Sequence, residues 1–140
     1  IKAMKSEPGK VMLDITWSSL ISYFTYDHLT YLFMGDASKQ IEKQLMATYD
    51  LKADVIKVGH HGSNTSSDPD FLDSLDCKVA LISCGYKNKY GHPSVETLKT
   101  LENLHINTLC TSDCGSIAMY SLFHFSFVVT NDGMFGIIWT

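Results

Sequence analysis

Apolar segments that predict strands alternate with amphipathic segments that predict helices through the middle of the chain. The predicted inner strands end at three positions, each followed by a glycine: Met34, Val58 and Cys84. The predicted helices begin at or near residue types that commonly cap a helix: Asp36, Asp68 and Ser94. Strands that alternate with helices are typical of a layered α/β domain, so we predict a mixed sheet with helices on at least one face.

Antiparallel strands are predicted towards both ends of the chain. Near the N-terminus, β-branched and aromatic side chains are concentrated in residues 11–15, 20–25 and 29–34. Near the C-terminus, the same signal covers residues 117–120, 123–130 and 134–139, and an Asn131-Asp132-Gly133 turn joins the last two. The chain has 140 residues, the usual size of one domain, so we expect residues 1–140 to form a single domain.

The charge and cysteine content exclude several classes of protein. Lys and Arg number 11 against 15 Asp and Glu, a formal net charge of −4, which lacks the broad basic footprint of a non-specific nucleic-acid binder. Four cysteines are too few for a disulfide scaffold and are interpreted as buried free thiols. The longest segment without a charged residue, 114–131, alternates polar and apolar residues as a strand does, so no membrane segment is predicted.

The loops after the three inner strands contain residues suited to bind a metal ion. Asp36 follows the first strand, the adjacent pair His60 and His61 follows the second, and His92 lies in the loop after the third. Taken singly, Asp36 could be a helix cap and His92 a turn residue. Because the carboxyl ends of neighbouring strands meet at one edge of a sheet, we expect these side chains to lie together. Carboxylate and imidazole bind Zn²⁺, which predicts metal-assisted hydrolysis.

Other catalytic motifs are missing from the sequence. It contains neither the Gly-x-Ser-x-Gly elbow of a serine hydrolase nor a phosphate-binding P-loop. The remaining histidines, His28, His105 and His124, lie in a predicted turn, a helix end and a strand, and are interpreted as structural.

Three motifs in fixed order carry a resemblance to a known family. They are Gly35-Asp36 after an apolar strand, ADVIKVGHHGS at residues 53–63, and NKYGHPS at residues 88–94. With them, residues 18–116 resemble the metallo-β-lactamase-fold hydrolases, and within that superfamily most closely the hydrolase domain of the ComEC/Rec2 DNA-uptake proteins. The resemblance implies an αββα sandwich, a mixed sheet with helices, and a centre of two metal ions, usually Zn²⁺.

The resemblance also assigns roles to individual residues. Asp36 matches the carboxylate that bridges the two metal ions, and the His60-His61 pair matches the last metal-binding histidine. We favour His61 as the metal ligand, with His60 facing the substrate and His92 contacting a substrate phosphate. The remaining candidate substrate contacts are Ser63, Lys87, Asn88 and Lys89.

One motif of the family is absent. No His-x-His-x-Asp-His occurs in the chain, so we expect it to be the second, C-terminal half of such a domain, with an uncovered sheet face that requires either the missing N-terminal half or self-association. Alone it should be weakly active or inactive. The complete enzyme should hydrolyse a phosphodiester, either DNA or a small phosphoester, in the cytoplasm or on the extracellular face of a membrane protein. The alternative is a non-catalytic binding or assembly module derived from the same fold.

Overall fold

A seven-stranded mixed sheet forms the centre of the fold. The computed structural model describes residues 2–6, 10–15, 19–122, 125–133 and 135–138. The strands of this sheet follow one another in chain order: β1 (Lys2–Ser6), β2 (Lys10–Ile15), β3 (Ser19–Tyr26), β4 (Leu29–Phe33), β5 (Val55–Lys57), β6 (Val79–Ile82) and β7 (Asn107–Cys110). Strands β1 to β4 pair antiparallel, and β4 to β7 pair parallel. The predicted α/β fold with a mixed sheet is therefore confirmed.

Strand β1 was not predicted. Its sequence, Lys-Ala-Met-Lys-Ser, contains neither β-branched nor aromatic side chains, so it lacks the composition that marks a strand. Strand β1 pairs with β2 over the full register from Lys2 opposite Asp14 to Ser6 opposite Lys10. Pairing with β2 therefore determines the extended conformation of β1, and the sequence of β1 alone does not predict it.

Three helices connect the parallel strands β4 to β7, and a single helical turn follows β7. They are α1 (Lys39–Thr48), α2 (Pro69–Leu75), α3 (Val95–Asn103) and a single turn, α4 (Thr111–Cys114). The predicted caps Asp68 and Ser94 are confirmed, because their side chains accept hydrogen bonds from the backbone N–H groups of Phe71 and Thr97. The N-cap position of α1 is held by Ser38. Asp36 therefore lies outside the helix, and the interpretation of Asp36 as its cap is wrong.

A second, three-stranded antiparallel sheet follows α4. It consists of β8 (Ile117–Leu122), β9 (Phe125–Thr130) and β10 (Phe135–Ile138), with β9 in the middle. The predicted hairpin turn is confirmed, because the Gly133 N–H donates to the Thr130 carbonyl at 3.0 Å. His124 and the predicted strand ends at Phe123, Met134 and Trp139 lie outside the described residues.

Two apolar clusters lie on opposite faces of the central sheet. On one face, strand residues such as Ile21, Leu32 and Ile56 pack against helix residues such as Leu45 and Phe71. A second cluster joins the sheet to β8 and β9; its buried members are Leu29, Tyr31, Val55, Val79 and Val128. The small sheet thus covers part of the face that we expected to find open.

An apolar area remains exposed on β3 and β4. Leu20 is 56% exposed and Phe33 is 37% exposed. Phe33 contacts the rings of Phe24 and Tyr31 edge-on, with ring centroids 5.3 and 6.4 Å apart. This area, defined by Leu20 and Phe33, adjoins the loop after β4, since the Asp36 N–H donates to Ser19 Oγ at 2.9 Å.

The helices of the described residues are short. None of them combines the length and the apolar character that crossing a lipid bilayer would require.

Candidate metal and phosphate site

The chain turns sharply after β5 through the two adjacent histidines. His60 and His61 both have left-handed backbone conformations, with φ of 47° and 56°. Such a conformation costs a residue other than glycine about 1–2 kcal/mol, and such strain is concentrated at functional sites. The His60 N–H donates to the Gly35 carbonyl at 2.9 Å, which fixes this turn against the loop after β4.

Gly62 joins the same turn to the loop after β6. Its φ is +78°, and a Cβ atom at this position would lie 2.8 Å from Cβ of Pro93. The Ser94 N–H donates to the Gly62 carbonyl at 2.8 Å. The loops after β4, β5 and β6 therefore meet at one edge of the sheet, as the sequence predicts.

Asp36 and His61 face each other across this edge. His61 Nε2 lies 3.8 Å from Asp36 Oδ1, and the two side chains are about half exposed. His61 Nδ1 lies 2.6 Å from the Ser83 carbonyl oxygen. Because a carbonyl only accepts, Nδ1 must carry the proton, and in the neutral ring Nε2 then has no proton and lies beside the carboxylate. A metal-binding histidine is oriented in the same way by a hydrogen bond to its other ring nitrogen.

His60 and His92 form the adjoining part of the site. His60 Nδ1 contacts Thr65 Oγ1 at 3.2 Å, and the His60 ring lies 5.9 Å from the ring of His92. The Tyr90 ring stacks on His92 at 5.9 Å with an angle of 18° between the planes. These contacts place both histidines beside the Asp36 and His61 pair, where the sequence predicts substrate contacts.

Asn88 organises the loop after β6. Its Nδ2 donates to the carbonyls of Gly85 and His92, and its Oδ1 accepts the His92 N–H at 2.9 Å. The amide is therefore engaged within the loop itself. Its predicted contact with substrate stays a prediction.

Ser63 is buried, with 4% of its surface exposed. Its hydroxyl contacts Thr65 Oγ1 at 3.0 Å and accepts the Thr65 N–H at 3.2 Å. In this conformation Ser63 supports the loop after the two histidines, and its role in substrate binding also stays a prediction.

Two tyrosine and two lysine side chains lie on the outside of the loop after β6. Tyr86 is 74% exposed and Tyr90 is 70% exposed. The Nζ atoms of Lys87 and Lys89 lie over these rings, 5.2 and 5.0 Å from their centroids. The tyrosines were not singled out from the sequence, although each lies next to a lysine in residues 86–90, and this adjacency was the available signal.

An open cleft separates this loop from His61. Its volume is about 220 Å³, and its lining residues are His61, Cys84, Gly85, Asn88, Tyr90 and His92. The cleft is open to solvent, and its volume is large enough to hold a group of the size of phosphate.

Lys57 is a second residue that the sequence did not bring forward. It ends β5, and its Nζ donates to the Val58 carbonyl at 3.3 Å. Burial lowers the pKa of this ammonium, and the negative charge of Asp36 acts in the opposite direction. Lys57 therefore places a positive charge within electrostatic range of the carboxylate.

The side chains at this edge supply only some of the ligands that a metal ion requires. Among the described residues, no three His, Cys, Asp or Glu side chains lie close enough together to hold a metal ion. Asp36 and His61 supply two donors of suitable type and orientation, whereas a catalytic zinc ion usually has three protein ligands. Any further ligand must come from a rearrangement of this edge or from residues beyond the described ones.

The chain is similar to parts of several longer bacterial proteins. It is 38% identical over 101 residues to ComE operon protein 3 of Bacillus subtilis (strain 168), which covers 71% of the chain and 13% of that protein. It is 34% identical over 93 residues to competence protein ComA of Neisseria gonorrhoeae, covering 65% of the chain and 13% of that protein. Recombination protein 2 of Haemophilus influenzae (strain ATCC 51907 / DSM 11121 / KW20 / Rd) is 39% identical over 70 residues, which is 50% of the chain and 9% of that protein.

The names of these relatives, a ComE operon protein, a competence protein and a recombination protein, support the resemblance to ComEC-like proteins. The chain spans 13% of the length of the first two. No family model matches it.

Proposed function

We propose that this chain supplies part of the active site of a metal-dependent phosphodiesterase of the metallo-β-lactamase superfamily, with DNA as the substrate. The observation that carries the proposal is the arrangement of Asp36 and His61. The Ser83 carbonyl fixes the proton of His61 on Nδ1, and the free Nε2 and a carboxylate oxygen lie 3.8 Å apart at an open edge.

Each residue of the edge has a distinct role in this proposal. Asp36 and His61 would hold a zinc ion, which would lower the pKa of a bound water molecule and attract phosphate oxygens. His60 and His92 line the position of the scissile phosphate, where a ring N–H can donate a hydrogen bond to a phosphate oxygen. Lys87 and Lys89 hold neighbouring phosphates electrostatically.

DNA is favoured over a small phosphoester by the exposed loop after β6. Proteins that bind single strands combine lysine contacts to phosphates with aromatic side chains on which bases stack. Tyr86, Lys87, Lys89 and Tyr90 present that combination beside the cleft. The competence protein among the relatives supports the same choice.

Binding of a single-stranded oligothymidylate across a salt series tests the substrate. Each lysine that contacts a phosphate adds about 0.7 to the slope of log affinity against log salt. The Lys87→Ala, Lys89→Ala variant should therefore lower the slope by about 1.4. Lys52→Ala, Lys99→Ala removes the same charge outside this loop and should leave the slope close to that of the unaltered chain.

Two further measurements complete the test. Tyr86→Ala, Tyr90→Ala should weaken binding of the oligothymidylate but not of an abasic strand of equal length, because only the former has bases to stack. Absence of binding at low salt, or a slope that the loop lysines do not change, would remove DNA and leave a small phosphoester as the substrate.

The remaining metal ligands come, in this proposal, from a protein segment that covers the apolar area of Leu20 and Phe33. This area adjoins Asp36 through Ser19, so a segment packed there would also reach the metal site. Without such a segment, two copies of the chain should associate through the same area, because burying apolar surface contributes about 25 cal/mol per Å².

Light scattering of the chain should accordingly give a mass above 15.7 kDa. Leu20→Ser, Phe33→Ser should restore the monomer. Leu98→Ser, a control on the outer side of α3 where the side chain is 39% exposed, should leave the association unchanged. A monodisperse monomer of the unaltered chain would contradict this part of the proposal.

A non-catalytic assembly module is the second candidate function. The observation that favours it is that the described residues gather two metal donors rather than three. In this case the chain would bind its partner through the same apolar area, with no hydrolysis of a phosphodiester in the presence of Zn²⁺ or Mn²⁺.

A further inference from the structure

Two thiols meet at the carboxyl ends of β6 and β7. These strands are parallel neighbours, with Ile82 opposite Cys110. Cys84 lies two residues beyond Ile82, and its Sγ is 3.2 Å from Sγ of Cys110. Both are free cysteines. The two sulfur atoms are therefore in direct contact on adjacent strands, although the residues are 26 positions apart in the chain.

Hydrogen bonds between the Thr111 hydroxyl and the Cys84 backbone hold the pair in this position. Thr111, the first residue of α4, accepts the Cys84 N–H with its hydroxyl oxygen and donates to the Cys84 carbonyl, both at 2.9 Å. Thr111 directly follows Cys110 in the chain, so its hydroxyl holds Cys84 beside Cys110. The pairing of β6 with β7 and these two hydrogen bonds therefore determine the contact between the two sulfur atoms.

The two thiols differ in access. Cys84 lines the open cleft with His61 and His92. Cys110 is 6% exposed, and burial raises the pKa of its thiol. An oxidant in solution therefore reaches Cys84 first, and Cys110 can react only with what is already bonded to Cys84.

We propose that Cys84 and Cys110 form a reversible disulfide by exchange with a low-molecular-weight disulfide of the glutathione class. The Cys84 thiolate attacks the small disulfide, breaking its S–S bond, and one small thiol leaves. The Cys110 thiol then loses its proton to solvent and attacks Cys84 Sγ, and the second small thiol leaves. In total two S–H bonds are converted to one S–S bond, and the small disulfide is reduced to two thiols.

The cross-link also reaches the candidate metal site. Ser83, the residue before Cys84, orients His61 through its carbonyl at 2.6 Å. A disulfide requires a sulfur separation of about 2.0 Å, so closing it draws Cys84 towards β7. We therefore expect oxidation to displace the Ser83 carbonyl and, with it, the ring of His61. This coupling follows from the contacts alone and does not require a bound metal.

Mass spectrometry of the reduced chain treated with oxidised glutathione tests the pairing. The expected product has lost two hydrogens, carries no glutathione, and gives a peptide cross-linked between Cys84 and Cys110. Cys110→Ser and Cys110→Ala should both stop at a mixed disulfide of glutathione with Cys84. Cys84→Ser should form neither product.

Two control variants keep the pair intact. Cys77→Ser removes a thiol whose pKa is raised to about 12 by burial, and Cys114→Ser removes the other buried cysteine. Both should form the same cross-link as the unaltered chain. A cross-link that involves Cys77 or Cys114, a persistent glutathione adduct on the unaltered chain, or no oxidation at all would overturn the proposal.

The coupling to His61 has its own readout. In NMR spectra of the metal-free chain, the His61 ring signals should shift on oxidation and return on reduction with dithiothreitol, whereas those of the exposed His105 should not. An unchanged His61 signal in a chain that is fully cross-linked would overturn the coupling while leaving the disulfide in place.

Discussion

Replacing Asp36 by alanine is expected to lower the affinity of the chain for Zn²⁺ by about 100-fold or more. Loss of a residue that only orients a metal ligand costs about 10–100-fold, and a direct ligand should cost at least the upper end of that range. Asp36 and His61 are the two donors that face each other at the site. Competition with a chromophoric chelator measures the affinity directly.

Matched variants separate ligation from general charge effects. Asp50→Ala removes an exposed carboxylate from the loop after α1 and should leave the affinity unchanged. His61→Ala should cost as much as Asp36→Ala, and the double variant little more, because removal of either donor already breaks the site. Equal affinity of the Asp36→Ala variant and the unaltered chain would contradict the metal site. Absence of Zn²⁺ binding in the unaltered chain would favour the assembly module.

Replacing Glu42 by alanine should lower the free energy of unfolding by about 2–6 kcal/mol. Glu42 is 1% exposed, and its two carboxylate oxygens accept the N–H groups of Ser67 at 2.9 Å and Asp68 at 2.7 Å. Alanine leaves both donors buried without a partner, at about 1–3 kcal/mol each. Urea unfolding measures the loss, and Glu102→Ala, on the exposed side of α3, is the control that should change stability little.

Glu42 should also make the free energy of unfolding depend on pH. Burial raises the pKa of the Glu42 carboxyl in the folded chain, although the two N–H groups oppose the shift. The folded state then binds the proton more tightly than the unfolded state. The contribution of Glu42 to stability should therefore fall as pH rises from the ordinary pKa of a glutamate through the raised value. Glu42→Gln should remove this slope; a slope that persists in this variant would assign it to another group.

The parts of the fold predicted correctly are those with a local sequence signal. The apolar strands β4 to β6, the caps Asp68 and Ser94, and the meeting of the three loops follow from periodicity and turn chemistry. Strand β1 forms by pairing with β2, and β8 and β9 cover one face of the central sheet by packing against it. Such contacts between different segments cannot be predicted from a short stretch of sequence. The same limit explains Glu42, whose helical position predicts an exposed carboxylate, whereas contacts with the loop 63–68 bury it.

Residue types predicted the candidate site better than they predicted its geometry. Asp36 and the two histidines were found because carboxylate and imidazole after apolar strands are unusual for packing alone. The sequence favours His61 over His60 as the metal ligand only through the family resemblance, because the contact of the His61 ring with the Ser83 carbonyl joins residues 22 positions apart. Lys57 was missed because a lysine at a strand end is ordinarily solvated.

The order of strands in the central sheet has a consequence for synthesis of the chain. Because β1 to β7 are neighbours in chain order, each strand can dock on the one made just before it, and no strand has to wait for a later one to fill a gap. The site is then completed in steps as the chain emerges from the ribosome. Asp36 comes first, and the turn of His60 and His61 follows with β5. Cys84 contacts Cys110 only when β7, the last strand of the central sheet, is in place.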